Sequence, residues 1–484
     1  MGILGITLSL VLLMGLSFRG WSILLLAPSA ALIAALFSGE HLLAHWTQTF
    51  MGGATQFLAQ FFPLFLLGAL FGKLMDDSGS VSAIADFMTY KLGKQYAILA
   101  VVLAGALVTY GGVSLFVAFF VLAPMAQALF RAAAIPRRLM PATIVLGTST
   151  FTMSALPGTP SIQNAIPMPF FNTTPFAAPG LGIIASIIML GFGLWWLNRS
   201  EAAAKKSGEQ LGDGMPAEIT TIANDQMLRE RATNSHEFDL AELVHGSHGK
   251  TTPSIGLAVL PIIVVVFVNL LMSFVLLPQM DLAFLSQPQW GETSLAEVGG
   301  VWAVVTALAT AIVVVIITNR KRLPDLRSTM DAGANASVLP ALSVASLVGF
   351  GSVIAAMPVF GVIRDWLLGI GGGPLVSLSA ATNVLAALTG SASGGLTIAL
   401  DALGSTFLTL AKEQGIDPSL LHRVAVIGSG TLDSLPHNGA VITLLAVCQS
   451  THRESYFDII VVGIIGPIIA LAAVIGLGTL WGSF

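Results

Sequence analysis

Long stretches without a charged residue set the first limit on what this chain can fold into. Residues 139–198 contain no Asp, Glu, Lys or Arg, and the 484-residue chain as a whole is 55% hydrophobic and 10% charged. Soluble domains carry about 25% charged residues, and about 20 apolar residues cross the hydrocarbon layer as a helix. The sequence therefore predicts an all-α polytopic membrane protein.

Hydropathy and the positions of Gly and Pro predict ten crossings and two hairpins. The predicted crossings are residues 2–17, 21–38, 55–75, 139–170, 176–197, 254–277, 297–318, 336–356, 420–448 and 457–481. Segments 95–130 and 374–411 each have two apolar limbs around a turn of small residues, TYGGVS at 109–114 and TGSASGG at 389–395. Each segment can therefore enter and leave the membrane on one side as a re-entrant hairpin.

The distribution of Lys and Arg predicts the orientation of the chain. With the N-terminus outside, twelve of the 21 basic residues fall in short loops on one side, and three, Arg364, Lys412 and Arg423, fall on the other. The remaining six lie in the long polar segment 198–253. Because basic loops concentrate on the cytoplasmic side, the count predicts a cytoplasmic linker at 198–253 and both termini outside.

The linker divides the chain into two halves whose landmarks share one spacing. MSALPGTPS at 153–161 aligns with LDSLPHNGA at 432–440 at an offset of 279, and the two hairpin turns align at 280 to 283. Because each half has five crossings and one hairpin, the halves 1–197 and 254–484 would have opposite orientations. Inverted repeats with broken helices that meet at the midplane are typical of secondary transporters. The predicted broken helices are 139–170 and 420–448.

Hydroxyl-bearing and small residues cluster at the two breaks and at the two hairpin turns. Nonhelical backbone at membrane depth persists only where protein or a wet cavity covers it, and helix N-termini and hydroxyls can bind polar ligands there. The predicted substrate-binding residues are Thr109, Tyr110, Gly111, Gly112, Ser114, Thr150, Thr152, Ser154, Thr159, Thr389, Ser391, Ser393, Gly394, Gly395, Thr431, Ser434 and Asn438. Close helix packing through Gly, Ser and Thr is the alternative interpretation of any one cluster.

Three ionisable residues within apolar segments are candidates for proton coupling, since such groups are costly in a membrane and mark function. Asp433 is the only acid in residues 424–452, and His437 follows it by four positions inside the second break. Asp401 is the only acid in residues 367–411. A cap on the unwound segment is the alternative role for Asp433, and a hydrogen bond between helices is the alternative for Asp401.

Four stretches carry a resemblance to a known family. They are LLGALFGKLMDDSGSVSAIADFM at 66–88, TYGGVSLFVAFFVLAPMAQALFRAAAIPRRLMPA at 109–142, LPGTPSIQNAIP at 156–167 and GSGTLDSLPHNGAVITLL at 428–445. The chain resembles the gluconate:proton symporter (gluconate permease) family of the ion transporter superfamily over essentially its whole length. The resemblance implies import of hydroxylated monocarboxylates, such as gluconate-like sugar acids, 3-hydroxybutyrate or D-serine, usually with protons, across the bacterial inner membrane.

The absence of Lys and Arg from all four clusters bears on the substrate. A single carboxylate is easier to accommodate there than two or three, and the hydroxyls suit a hydroxy acid. The predicted partners are a small carboxylate and the lipid bilayer, with no nucleic acid and no metal or cofactor beyond the co-transported proton. The oligomeric state stays open, including a homo-oligomer.

Two alternative functions stay open at the level of sequence. Sodium coupling is the first, because some relatives in the superfamily use sodium instead of protons. An intramembrane hydrolase that uses Asp433 and His437 is the second, although one titratable pair without a further catalytic acid or nucleophile is a thin signal for an enzyme.

Overall fold

Every regular element that the structure describes is a helix. The computed structural model describes residues 2–17, 19, 21–207, 209, 251–436 and 438–484. Within these residues there is no strand, so the predicted all-α class is confirmed. Among the described residues, eight helices are long and apolar enough to cross a membrane, or nine if the bent pair Ser80–Leu92 and Lys94–Tyr110 counts as one span.

Helices make up both halves of the described chain. The helices of the first half are Gly2–Ser17, Ile23–Ser38, Leu42–Asp77, Ser80–Leu92, Ala97–Tyr110, Leu115–Ala133, Leu139–Thr148, Phe151–Ser154, Ile162–Ala165, Pro167–Phe171 and Pro179–Ser207. Those of the second half are Ile255–Gln279, Leu295–Asn319, Leu326–Ala336, Val338–Ala356, Phe360–Leu368, Gly373–Thr389, Ala392–Gln414, Pro418–Thr431, Gly439–Val447 and His452–Trp481. Most of the predicted linker, residues 210–250, lies outside the described residues.

Three helices lie where hydropathy predicted connecting loops. They are Ser80–Leu92, Leu326–Ala336 and Phe360–Leu368. Each carries charged side chains, such as Arg327 and Asp331 in the second of them, which lower its hydropathy without preventing a helix. Helix Ser80–Leu92 bends by 103° from the helical segment that follows it.

The first two predicted crossings are helices that are short for a membrane. Gly2–Ser17 and Ile23–Ser38 have 16 residues each, which is about 24 Å at 1.5 Å per residue. The hydrocarbon core is about 30 Å thick. These two helices are therefore apolar but fall outside the eight that are long enough to span by themselves.

Two buried helices that stop in the middle of apolar chain occupy the centre of the fold. All ten residues of Leu139–Thr148 are buried, and Pro418–Thr431 is buried from Leu420 through Ser429. Beyond them the chain leaves helical conformation at residues 155–161, and at residues 432–436 and 438. These two interruptions are called the first break and the second break below.

A glycine on each central helix packs against the first limb of the hairpin in the same half. A Cβ on Gly147 would lie 2.5 Å from the main-chain oxygen of Val102, and a Cβ on Gly428 would lie 2.5 Å from Oγ1 of Thr382. The same close approach thus occurs in both halves, at positions 281 residues apart. This agrees with a repeat, while the inverted relation of the two halves stays a prediction.

One basic residue that the sequence placed in an outer loop lies inside the fold. Arg423 is fully buried within helix Pro418–Thr431. The basic residues on the predicted outer side therefore fall from three to two, Arg364 and Lys412. The orientation with both termini outside stays a prediction.

We expect Gly147→Ala to destabilise the fold, because its Cβ would collide with backbone rather than with a movable side chain. Overpacking of this kind costs about 1–3 kcal/mol, which thermal unfolding of the detergent-purified protein measures as a lower Tm. The matched control is Gly191→Ala, where an added Cβ meets no atom within 4 Å. Equal Tm values for the two variants would contradict the close packing of Gly147.

Candidate functional site

One hydrogen bond in each half fastens the hairpin turn to the break. In the first half the Tyr110 hydroxyl donates to the carbonyl oxygen of Pro157 at 2.9 Å. In the second half Nδ2 of Asn438 donates to the carbonyl oxygen of Gly390 at 2.9 Å. The structure therefore brings each turn to the break of its own half.

Side chains donate hydrogen bonds to the main-chain carbonyls in and beside the first break. The pairs are Ser161 to Met153 at 2.9 Å, Arg423 to Ser154 at 3.4 Å, Tyr110 to Pro157 at 2.9 Å, Asn269 to Gly158 at 3.1 Å and Asn164 to Thr159 at 3.0 Å. A buried carbonyl without a partner costs about 1–3 kcal/mol. The five bonds therefore explain how an unwound segment persists inside apolar chain, and they give these carbonyls a structural role.

His422 links the second half to the first through a fixed tautomer. Asn164 donates from Nδ2 to the carbonyls of Thr159 and Pro175, so its Oδ1 is the acceptor for Nε2 of His422 at 3.2 Å. The other ring nitrogen, Nδ1, then accepts from the Thr173 hydroxyl at 2.6 Å. A fully buried imidazole with one donor and one acceptor is neutral and satisfied.

The neighbouring Arg423 makes a second link between the halves. Its Nε and Nη2 both donate to the carbonyl oxygen of Ala177, at 3.1 and 2.7 Å, and Nη1 reaches Ser154. The guanidinium of Arg423 therefore caps the C-terminal end of the short helix Phe151–Ser154, which belongs to the first half of the chain.

A cavity of about 170 Å³ lies where the first hairpin turn, the first break and the second hairpin meet. Its polar lining residues are Thr109, Ser114, Ser161, Gln163, Ser337 and Ser393. Among the described residues that line it, none has an ionisable side chain. The cavity can therefore offer hydroxyls, amides and helix ends to a ligand, but no charged side chain.

A smaller chamber of about 20 Å³ adjoins this cavity and contains Asp433. Three residues, Leu115, Met153 and Gln163, line both spaces. Nδ2 of Asn438 donates to Oδ1 of Asp433 at 2.8 Å, which orients the carboxylate. The candidate acid thus lies beside the cavity and is separated from it by one layer of side chains.

A relative that matches along the whole chain identifies the family. The chain is 38% identical over 484 residues to a Bacillus subtilis (strain 168) protein described as uncharacterized transporter YxjC, which covers 99% of this chain and 98% of that protein. A family model described as GntP family permease matches residues 1–170. The chain belongs to the GntP permease family. It is therefore a membrane transporter, as the resemblance implied.

Two more distant likenesses extend the comparison. The permease is 30% identical over 162 residues to the high-affinity gluconate transporter of Escherichia coli (strain K12), which covers 33% of the permease and 35% of that protein. The solved structure of Neisseria gonorrhoeae MtrF, described as illuminating a class of antimetabolite efflux pumps, covers 91% of the permease and 85% of that chain. Its TM-score is 0.54 at 15% identity, so this second likeness concerns the fold alone.

Some of the predicted substrate-binding residues line the two spaces of the permease. Thr109, Gly112, Ser114 and Ser393 lie in the wall of the cavity, and Ser434 and Asn438 lie in the wall of the chamber. Gly112 has a φ of +96°, a conformation that favours glycine, and a Cβ there would lie 2.9 Å from Cγ of Pro160. The turn therefore approaches the first break as closely as its backbone allows.

The structure places other predicted hydroxyls on main-chain groups outside the two walls. Five of them donate to carbonyls in the preceding turn, namely Thr150 to Leu146, Thr152 to Thr148, Ser154 to Thr150, Thr389 to Leu385 and Thr431 to Ile427. The hydroxyls of Thr159 and Ser391 accept from the amides of Ser161 and Gly394. These residues stabilise the ends of helices and the breaks, and Tyr110 does the same through Pro157.

Three predicted glycines lie at close contacts between helices. A Cβ on Gly395 would lie 2.2 Å from the amide nitrogen of Ala386, and one on Gly394 would lie 2.3 Å from Cδ1 of Leu347. A Cβ on Gly111 would lie 2.7 Å from Cγ1 of Ile262. At these positions the packing interpretation accounts for the small residue.

Asp401, a second candidate coupling residue, does not share the chamber. Asp401 lies in a separate cavity of about 220 Å³ with Gln56, Gln60 and Glu297, and it accepts a hydrogen bond from Ser352 at 2.9 Å. The lining of that cavity has no residue in common with the cavity or the chamber described above. His437 lies outside the described residues.

Several residues of the site were missing from the predicted set. Gln163 and Met153 separate the cavity from the chamber, and Ser337 lines the cavity at the interruption between helices Leu326–Ala336 and Val338–Ala356. Gln163 had a visible signal, because it is an amide in sixty residues of uncharged chain. His422 and Arg423 had no such signal, because two polar residues near the end of an apolar segment cannot be told from the start of a loop by sequence.

We expect Tyr110→Phe to lower both stability and transport, because the Pro157 carbonyl would lose its donor and the hairpin turn would be released from the first break. The loss of stability should be about 1–3 kcal/mol. A thermal scan and an uptake assay measure the two effects. The control is Tyr90→Phe, at a side chain that is 88% exposed. If both variants behave alike, this bond does not fasten the turn.

Proposed function

We propose that the permease imports a small hydroxylated monocarboxylate, of the gluconate-like sugar acid, 3-hydroxybutyrate or D-serine class, by proton symport with alternating access. The observation that carries the proposal is the cavity between the hairpin turns and the first break, with six polar lining residues and no ionisable side chain among its described residues. Pockets for drug-sized ligands occupy about 300–1,000 Å³, so a cavity of about 170 Å³ suits a small metabolite.

The carboxylate would be held by helix ends instead of basic side chains. Helix Leu115–Ala133 begins at the cavity wall with Leu115 and Phe116, and helix Ala392–Gln414 contributes Ser393 from its first turn. The N-terminus of a helix carries a partial positive charge and free amides that favour an anion. The partial positive charges of these helix ends compensate the charge of one carboxylate more readily than the two or three charges of a dicarboxylate or tricarboxylate.

The hydroxyl groups of the substrate would meet the polar part of the wall. Ser114 can accept or donate a hydrogen bond there, and Ser161 and Ser337, whose hydroxyls donate to the carbonyls of Met153 and Ala334, can each accept one. The sequence likeness to a gluconate transporter over 162 residues supports a hydroxylated acid. A site built from such groups discriminates against analogues that lack the hydroxyl, since its polar groups would be left without partners.

Uptake by purified permease in proteoliposomes tests the substrate class. Labelled gluconate, D-serine and 3-hydroxybutyrate are offered with an acidic exterior, with lactate and citrate as competitors. We expect accumulation of at least one of the three, its collapse on addition of a protonophore, and weak competition by citrate. Citrate competing as strongly as the preferred monocarboxylate would contradict recognition of a single carboxylate.

Asp433→Asn tests the proposed proton carrier, because it keeps the shape of the side chain and its contact with Asn438 while removing the titration. A pH difference of about one unit supplies about 1.4 kcal/mol per proton, enough for about tenfold accumulation. We expect the variant to exchange substrate between equal pools but to lose this tenfold accumulation. Wild-type accumulation by the variant would exclude Asp433 as the carrier and leave Asp401 or sodium coupling.

A further inference from the structure

The chamber beside Asp433 has the size and the lining of a site for one water molecule. A buried water needs about 10–15 Å³ of accessible volume and two to four polar partners, and the chamber has about 20 Å³. Ser149, Gln163, Asp433 and Ser434 bring hydroxyl, amide and carboxylate atoms to its wall. A polar space of this size therefore suits one ordered water.

The remaining polar residue of the wall holds the carboxylate in place. Asn438 uses Nδ2 for Gly390 and Asp433, at 2.9 and 2.8 Å, and its Oδ1 accepts from the amide of Ala440 at 2.7 Å. These three bonds fix the amide and, through it, one oxygen of Asp433. The carboxylate is therefore oriented before a substrate enters.

The layer between the cavity and the chamber contains a single polar side chain. Leu115, Met153 and Gln163 line both spaces, and of these only Gln163 can donate and accept hydrogen bonds. A proton that passes from the cavity to Asp433 must cross this layer beside an apolar leucine and methionine. Of these three side chains, Gln163 is the one that can hydrogen-bond to a water between the cavity and Asp433.

We propose that the chamber holds one water that relays the coupling proton between the substrate cavity and Asp433, and that Gln163 is the positioning residue for this water. The proposal rests on the proposed proton symport. The water accepts one proton from the cavity side and gives another to the Asp433 carboxylate, so it is again a neutral water after the step. Gln163 neither gains nor loses a proton. Substrate and proton then share one route, which couples their movement.

Among the described residues, two other titratable groups beside the second break bind main-chain carbonyls. Nε2 of His452 donates to Pro436 at 2.8 Å, and the hydroxyl of Tyr456 donates to Ser434 at 3.1 Å. Among the described residues of the chamber wall, Asp433 is the one titratable side chain. The segments that line the chamber from the first half contribute apolar residues, Ser149 and Gln163.

Gln163→Met tests the relay, because it preserves length and volume while removing the hydrogen-bonding atoms. The number of protons moved per substrate is measured in proteoliposomes at saturating substrate, where a change in affinity has no influence on the ratio. We expect substrate exchange to continue while accumulation under an imposed pH gradient of one unit falls from about tenfold toward equal concentrations. The matched control is Gln48→Met, at an exposed glutamine, which should couple as wild type does.

A second variant and a test with sodium can still decide the proposal if Gln163→Met does not insert into the membrane. Ser149→Ala removes another wall hydroxyl with little change in volume and should also lower the proton-to-substrate ratio. A wild-type ratio in the Gln163 or Ser149 variant, with coupling lost in Asp433→Asn, overturns the relay alone. A wild-type ratio in Asp433→Asn means that the proposed proton carrier itself is wrong. Sodium that raises the Tm of wild type but not of Asp433→Asn would place a cation in the chamber and also overturn the relay.

Discussion

The pairing of main-chain groups at the interrupted helices is the constraint on which the rest of this fold depends. A chain with so few charged residues has little water near its core, and a helix that stops there leaves amides and carbonyls that must find partners. At the first break the partners are side chains of Ser161, Arg423, Tyr110, Asn269 and Asn164. Because these donors come from four separate places in the sequence, the break can form only when those segments are assembled around it.

The two breaks use the same principle with different consequences. At the first break the donors leave a neutral, hydroxyl-rich surface at the cavity. At the second break Tyr456 and His452 donate to the carbonyls of Ser434 and Pro436, and Asp433 is the ionisable side chain among the described residues of the chamber wall. Two interrupted helices therefore present different surfaces, one with hydroxyls at the cavity and one with a carboxylate at the chamber.

The sequence contains enough information to predict the apolar helices and the places where they are interrupted, because both follow from local rules. Uncharged runs require burial in lipid or protein, and small residues beside proline interrupt helices. The functions of individual hydroxyls did not follow. Thr150 and Ser114 are both hydroxyl residues in uncharged chain, and the sequence does not distinguish them. In the structure the Thr150 hydroxyl donates to the carbonyl of Leu146, whereas Ser114 lies at the cavity. Which of these happens depends on the face that neighbouring helices leave open, and that is a tertiary property.

The partners of Arg423 could not be predicted from the sequence for a related reason. Ala177 and Ser154 act through main-chain carbonyls, which every residue possesses, so no side-chain pattern marks them. Amphipathic helices such as Leu326–Ala336 were missed because a hydropathy window averages their charged and apolar faces.

The bonds of His422 and Arg423 also determine how the molecule can be divided into rigid bodies. Helix Pro418–Thr431 is tied to Asn164, Thr173 and Ala177 by bonds that lie in fully buried surroundings. Rocking one half of the chain against the other would break these bonds and strand a guanidinium in apolar protein, which is a severe penalty. The central helix of the second half and the first break must therefore travel together, and any sliding surface runs across both halves instead of along the linker between them.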